Sequence, residues 1–399
     1  MRDNDNTDSL ANVRWRIDAL DSELVKLLNE RAELSLEVGR IKRGLSGRLA
    51  EKEPDGPNPG ILKPFREQSL LDALIDKNRG AGPLPDEHLV AIYREILSSS
   101  RSLQAPERVA FLGPEGTFSH HAVTRFLGHS VETLCSHNLE GIFKAVADNA
   151  CELGMVPLEN SLHGTVGESL DLFLRYDVCI VSELYLRVRH CLISAEERIA
   201  DVCTVFSHPQ PLAQCSNWLK THLPSARLIS VESTAAAAVR VAAEMGGAAA
   251  IGHEELAARA GLRVLARNIE NESRNWTRFV LIAAKASERP IGLNKTSVLF
   301  TVPDEPGTLT AVLEVLAQEN VNMKKLESRP LPGQPWKYAF FVDIQFSGDM
   351  AAQERVLDAM AKRCLTLRVL GRYPEGRIVD GLPDGGEPFC SVDILGKER

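Results

Sequence analysis

Apolar residues return through the first forty positions at alternating steps of three and four: Leu10, Val13, Ile17, Leu20, Leu24, Leu27, Leu34, Val38 and Ile41. That periodicity is one stripe along a single long α-helix, and it constrains everything downstream. A Gly/Pro-rich stretch, GLSGRLAEKEPDGPNPG, follows and reads as a loop. A second helix is expected from about Arg66 to Lys77. Pro85–Asp86 opens a third, HLVAIYREILSSSRSLQ, and Ala105–Pro106 breaks the pattern. Three helices this slender bury too little apolar surface to stand alone. The block 8–104 therefore calls for a second copy of the chain, as a homodimer or a higher even oligomer.

The rest of the chain has a different texture. Over 107–285, β-rich runs alternate with helical ones (VAFLG then TFSHHAVTRFL, TVFSHP then QPLAQCSNWLKTHL), which predicts an α/β domain with mainly parallel strands. Over 295–374 the order is strand–helix–strand–strand–helix–strand, that of a ferredoxin-like α+β unit. The tail 375–399 is Gly/Pro-rich and receives no function. A net charge of -8 with no Lys/Arg block argues against nucleic acid or an anionic membrane as partner. MRDNDNTDSL lacks the basic start and apolar stretch of a signal peptide, and no apolar run approaches the ~20 residues a span needs. The eight cysteines run from Cys135 to Cys390 without a C-x-x-C pair, so they read as reduced core thiols and the expected compartment is the cytoplasm.

Arg31 interrupts the apolar stripe, one heptad after Leu24 and one before Val38. A cation there needs an anionic partner, either an intramolecular carboxylate or a bound anion. Lys42, eleven residues on, shares its face at ~16 Å, a span that two long side chains can bracket around a small dianion. Arg14 lies ~25 Å back along the same helix, out of reach within its own chain but available from a two-fold partner. Ser100 and Gln104 share a face of the third helix, and Arg66–Glu67 open the second.

Elsewhere, Gly113-Pro-Glu-Gly-Thr117-Phe-Ser119 follows a strand and opens a helix, Glu159-Asn160-Ser161 ends a strand, and Ser233–Thr234 start the alanine-rich helix. Each offers hydroxyls, amides or backbone N–H groups near a helix start, for ordinary capping or for an anion. Asn275-Trp-Thr277-Arg278-Phe279 leads into a buried strand, where Arg278 either holds a carboxylate or locks the strand end. His120 and His121 follow Ser119 and read as structural or rim residues. In the third block, Pro306-Gly307-Thr308-Leu309 sits at a strand-to-helix turn and Glu327-Ser328-Arg329-Pro330 closes a strand.

Taken as strings, these segments carry a family resemblance. R14-x-x-I-D-A-L-D, L27-L-N-E-R31, V38-G-x-x-K42, R66-E67 and R94-E-I-x-S-x-S100-R-x-L-Q104 resemble the all-helical chorismate mutases. VAFLGPEGTFSHHA, GMVPLENSLHGTV, VFSHPQPLAQC, VESTAAAA and NWTRFVLIA look like prephenate dehydratase, and the 306–309 and 327–330 segments resemble the ACT domain of phenylalanine-inhibited dehydratases. The resemblance implies a chorismate site of Arg14 (from a partner chain), Arg31, Lys42, Arg66, Glu67, Ser100 and Gln104, with Lys42 and Gln104 at the ether oxygen. It implies a prephenate site between two lobes like those of periplasmic binding proteins, drawn from Thr117, Ser119, Glu159, Asn160, Ser161, Ser233, Thr234, Thr277 and Arg278, with Thr277 at the leaving group. Phenylalanine as inhibitor would meet Gly307, Thr308, Leu309, Glu327 and Ser328. No metal or organic cofactor is implied. Lys63 stands where the mutases usually have an acid, Trp276 where relatives often carry a small polar residue, and Thr308 where the ACT pattern usually has alanine. Three other readings share the scaffold: a mutase unit serving only in dimerisation, a preference for arogenate, and a catalytically dead phenylalanine-binding regulator.

Overall fold

The computed structural model describes residues 3–52, 64–244, 246–284, 294–346 and 350–379; Lys63, the second half of the expected 43–62 loop and the tail from 380 onward lie outside the described residues. The N-terminal unit is three helices, α1 (Asp3–Lys52), α2 (Pro64–Asn78) and α3 (Asp86–Gln104). The loop expected to begin at Gly44 does not: α1 continues to Lys52. No proline occurs before Pro54, and Leu45, Arg48, Leu49, Ala50, Glu51 and Lys52 are good helix formers. Extending an existing helix gains a hydrogen bond per residue fixed, which offsets the ~1 kcal/mol that each of Gly44 and Gly47 costs. Within its own chain α1 meets α3 at Gly39, where a Cβ would lie 2.9 Å from the Gln104 backbone. Its apolar stripe stays bare, with Leu20, Leu24 and Leu34 66%, 55% and 62% exposed.

The first α/β lobe comprises β1 (Arg108–Leu112), α4 (Phe118–Leu127), β2 (Glu132–Ser136), α5 (Leu139–Ala147), β3 (Leu153–Asn160), β4 (Gly164–Thr165), α6 (Gly167–Arg175) and β5 (Cys179–Arg187). The chain then crosses to a second lobe of β6 (Cys191–Ser194), β7 (Thr204–Ser207), α7 (Pro209–Gln214), α8 (Ser216–His222), β8 (Arg227–Ser230), α9 (Thr234–Ala243), β9 (Ala248–Gly252), α10 (Glu255–Ala260) and β10 (Arg263–Ala266). It returns to the first lobe as β11 (Trp276–Ala283). The second sheet has the order β10-β6-β9-β7-β8. Both sheets are mixed rather than mainly parallel. A strand arriving from the other lobe has no crossover helix to turn it, so β11 enters antiparallel to both β3 and β5, and β6 antiparallel to β9.

The C-terminal unit follows the expected order: β12 (Lys295–Thr301), α11 (Thr308–Gln318), β13 (Asn322–Pro330), β14 (Tyr338–Gln345), α12 (Met350–Ala361) and β15 (Thr366–Tyr373), paired as β13-β14-β12-β15. The helices pack Val312, Val315, Val356 and Met360 against Val298, Phe300 and Val342. Its other face is not free. Leu299, Phe341, Leu370 and Tyr373 join one buried cluster with Phe143, Leu158 and Phe173 of the first lobe. A Cβ on Gly371 would lie 2.0 Å from the Ile180 carbonyl oxygen, so β15 runs hard against β5. The start of the tail is also structured: β16 (Arg377–Val379) pairs parallel with β5 and extends the first lobe's sheet. Among the described residues the cysteines are free, and no helix is long and apolar enough to cross a membrane.

Candidate functional site

In the helical unit the sequence-nominated side chains converge where α1 crosses α3. Arg31 Nη1 donates to Ser100 Oγ and, at 3.5 Å, to the Ile96 carbonyl. Lys42 Nζ donates to Gln104 Oε1 at 3.0 Å, while Gln104 Nε2 donates to the Ser100 carbonyl at 3.2 Å. Arg31's described partners are neutral, and no carboxylate among the described residues pairs with it, so the intramolecular salt bridge open at the sequence level is not formed. Arg14 is exposed on the first third of α1 and Arg66 is exposed at the start of α2. Glu67 is held by Arg101, which stands in the S100-R-x-L-Q104 string but to which spacing alone assigns no role. Buried at 3% exposure, Arg101 also donates to the Leu127 carbonyl of the first lobe and lies 3.6 Å from Glu107.

The dehydratase-like segments gather at the junction of the two lobes. A Cβ on Gly116 would lie 2.3 Å from Leu256 and 4.0 Å from Ala235, so the starts of α4 and α9 touch across the lobes. Two positive helix ends in one place favour an anion between them. Thr117 Oγ1 accepts from His120 N at 3.4 Å and donates to the Leu112 carbonyl, while Ser233 Oγ accepts from Ala236 N at 3.0 Å. Their hydroxyls are thus engaged by the backbone. Ser119 and Thr234 are buried beside them.

At the other end of the junction, Asn160 Nδ2 donates to Thr277 Oγ1 at 3.0 Å, Asn275 Oδ1 at 2.8 Å and the Trp276 carbonyl at 3.2 Å. Ser161 Oγ accepts from Trp276 N at 2.9 Å and donates to the Arg274 carbonyl. Beside them opens a cavity of about 410 Å³ lined by His163, Gln210, Gln214 and Asn275 among others. His163 Nδ1 lies 3.0 Å from Asn160 Oδ1, and His190 Nε2 lies 2.8 Å from Gln214 Oε1. His163, His190, Gln210 and Gln214 were not nominated from the sequence, although Gln210 and Gln214 stand four apart in VFSHPQPLAQC.

Two nominated residues lie on the other face of the sheet from Asn160 and Thr277. Successive strand side chains point to opposite faces, so Asn160 and Thr277 share one face of the sheet while Glu159 and Arg278 share the other. Arg278, 4% exposed, donates to Glu183 at 2.7 Å and to Asp343 of the C-terminal unit. Glu159 pairs with Lys325 at 2.9 Å. Of the two roles open to Arg278, its geometry meets the strand lock and not the substrate carboxylate, and Glu159 goes with it.

Across the lobes His121 Nδ1 lies 3.0 Å from Glu255, and the His121 and His253 ring centroids lie 3.9 Å apart with their planes tilted by 37°. Burial pushes the Glu255 carboxyl up, but hydrogen bonding to His121 with the nearby charge of His121, His253 and Arg125 outweighs it and holds the group at about 2. These three offer ligand atoms within 4.8 Å of one another. The carboxylate already has a cation beside it, however, with Arg125 3.8 Å away. The cluster reads as a contact between lobes. Burial lowers the His120 pKa, keeping that imidazole neutral.

In the C-terminal unit Gly307 (φ +87°), Thr308 and Leu309 line a cavity of about 680 Å³ with Leu331, Trp336 and Tyr338. Glu327 is not in it: its carboxylate accepts from Thr165 of the first lobe at 2.8 Å, on the strand face that also turns Lys325 and Arg329 toward that lobe. Ser328 points the opposite way and is exposed. The nominated effector residues thus fall on two sides of the unit.

Comparison with known proteins matches three family models in order: chorismate mutase type II over residues 13–105, prephenate dehydratase over 109–287, and the ACT domain over 296–359. The bifunctional chorismate mutase/prephenate dehydratase of Aquifex aeolicus is 39% identical, covering 92% of this chain and 98% of its own. Prephenate dehydratase from Arthrobacter aurescens in complex with L-Phe is 29% identical with a TM-score of 0.62, covering 67% of this chain and 90% of its own. A structure of GqqA, described as a novel type of quorum quenching acylase, is 30% identical with the same TM-score and covers 98% of its own chain.

Proposed function

The chain belongs to the bifunctional chorismate mutase/prephenate dehydratase family, and from that membership we propose that it converts chorismate to prephenate on its helices and prephenate to phenylpyruvate between its α/β lobes, under inhibition by phenylalanine. The observation that carries the reading is the presence in one chain of two separate polar constellations, Arg31–Ser100 with Lys42–Gln104, and Asn160–Thr277. The first step is a pericyclic shift that needs no nucleophile. Arg31 and Lys42 would hold the folded dicarboxylate, Lys42 and Gln104 would donate to the ether oxygen as its bond breaks, and Glu67 would accept from the ring hydroxyl. In the second step the electron pair of the departing carboxylate forms the aromatic ring as hydroxide leaves. Thr277, supported by Asn160, would donate to that hydroxide. Purified protein given chorismate alone should produce phenylpyruvate. Accumulated prephenate would remove the dehydratase, and untouched chorismate the mutase.

The setting is a cytoplasmic dimer or higher even oligomer, in which a second α1 covers the bare stripe on the first and supplies Arg14. Arg14→Ala and Arg31→Ala chains, each inactive as a mutase, should then regain part of that activity when co-refolded. The mixed dimer contains one site with neither change. Confirmed heterodimers without recovery would put both residues in one chain's site.

Phenylalanine inhibits only if it binds a less active arrangement better than the active one, and the 680 Å³ cavity at Gly307 is where we place it. Gly307 has open space around its Cβ position but a left-handed φ of +87°, which a β-branched residue does not adopt without strain. Gly307→Val should weaken phenylalanine inhibition by about tenfold or more, equivalent to ~1.4 kcal/mol, with uninhibited dehydratase activity little changed. Calorimetry finding wild-type phenylalanine affinity in this variant would move the effector site elsewhere.

A further inference from the structure

Four charged side chains meet between the first α/β lobe and the C-terminal unit, none more than 4% exposed: Glu183 on β5, Arg278 on β11, Lys295 on β12 and Asp343 on β14. Arg278 donates to Glu183, Asp343 and, at 3.2 Å, the Tyr373 hydroxyl. Lys295 Nζ reaches both Glu183 oxygens at 2.9 Å. Ser297 bonds both Asp343 and Tyr373. The two cations and two carboxylates balance in charge. Burial works against the charged form of Asp343, but Arg278 and Lys295 hold its carboxyl below the usual range. Such a cluster is not needed for adhesion, because well-packed apolar side chains of similar volume hold an interface at least as well. Leu299, Phe341 and Leu370 already provide that here. What an ion cluster adds is a fixed geometry.

The geometry it fixes is that of β11 at Thr277. Arg278 is the next residue, and its side chain leaves the strand on the opposite face. Thr277 meets Asn160 on one side while Arg278 is gripped by Asp343 and Tyr373 on the other. The strand cannot slide or twist at Thr277 without breaking that grip. We propose that Asp343, a residue of the ACT unit, is a positioning residue for the dehydratase reaction, acting through Arg278 to hold Thr277 against Asn160. Displacing Asp343 is then a means by which the ACT unit loosens the dehydratase site. This rests on the reading of Thr277 as the hydroxyl at the leaving group.

The test is full-length Asp343→Asn, assayed in one preparation for prephenate and for chorismate turnover. Misplacement of Thr277 should lower the dehydratase kcat by about 10²-fold with KM nearly unchanged, while mutase activity persists and an unchanged melting curve reports an intact fold. Combined with Thr277→Val, Asp343→Asn should cost little more, the non-additivity expected of residues acting as one unit. Tyr373→Phe leaves every charge in place and removes one bond to Arg278, so it should show the same pattern at about tenfold and decides the matter if Asp343→Asn does not fold. An undiminished kcat in either folded variant, or a loss that adds in full to that of Thr277→Val, would overturn the proposal. Wild-type turnover in Thr277→Val alone would instead overturn the assignment of Thr277.

Discussion

Replacing Thr277 by valine should lower turnover of added prephenate by about 10²- to 10³-fold, the cost of removing one donor aimed at developing charge, while chorismate consumption continues. Hydroxide is a poor leaving group, and aromatisation pulls it off only if its growing charge is met by a donor. Asn160 Nδ2, at 3.0 Å, donates to Thr277 Oγ1. The threonine oxygen therefore serves as acceptor within the protein, and its one hydrogen is left to point outward. Valine keeps the shape and the β-branch that suit β11. It also leaves no orphaned donor, since Asn160 retains Asn275 Oδ1 and the Trp276 carbonyl. Loss of activity without loss of stability is thus the expected outcome, read from phenylpyruvate formation and the melting curve together. Thr277→Ser, which restores the hydroxyl, should recover most of the rate. If the valine enzyme turns over at close to the wild-type rate, Thr277 is structural and the donor lies elsewhere around the His163–Gln214 cavity.

The parts of the fold legible in the sequence were those written in periodicity. The α1 stripe, the third-block order and the alternation of strand and helix through 107–285 all appear as elements. What periodicity does not encode is the direction in which a strand enters its sheet. The run WTRFVLIA reads as buried strand in either sense, and only the return from the second lobe makes β11 antiparallel to its neighbours. Composition misled at Gly44, where local breakers met a helix already nucleated. It was silent at Arg377–Val379, a strand only because the edge of β5 stands open to it.

The same divide runs through the sites. Helical spacing put Arg31 with Lys42 and Ser100 with Gln104, and α1 and α3 bring those two pairs face to face. In the strands, motif neighbours part company. ENS and TRF each send alternate residues to opposite faces, so Asn160 and Thr277 meet each other beside the cavity-lining Asn275 and His163 while Glu159 and Arg278 meet the C-terminal unit. Glu327 is turned away from the Gly307 cavity for the same reason. Arg101 stands in the S100-R-x-L-Q104 string, yet spacing alone assigns it no role. Its role depends on Glu67, 34 positions earlier, and on the Leu127 carbonyl, 26 later.

The other large effect is expected on the helices. Arg31→Ala should reduce chorismate turnover by about 10³-fold, equivalent to ~4 kcal/mol, and leave conversion of added prephenate intact. The reaction asks the protein to hold two carboxylates in one folded conformer, so most of its catalytic work is positioning and charge stabilisation. Arg31 is half-buried on the α1 seam, and among the described residues its guanidinium bonds only Ser100 Oγ and the Ile96 carbonyl. Neither neutralises its charge, so that charge remains for a ligand. A guanidinium also meets a carboxylate through two parallel N–H bonds, which a water filling the alanine cavity cannot reproduce. Arg31→Lys should therefore recover only part of the loss, since an ammonium keeps the charge and not the fork. The fold should not suffer, because removing a cation that lacks a carboxylate partner strands no buried anion. Both activities measured in one preparation separate the outcomes. Selective loss of the mutase supports the site. Loss of both means that α1 was needed for folding, and an unchanged chorismate rate would place the mutase chemistry away from the α1–α3 crossing.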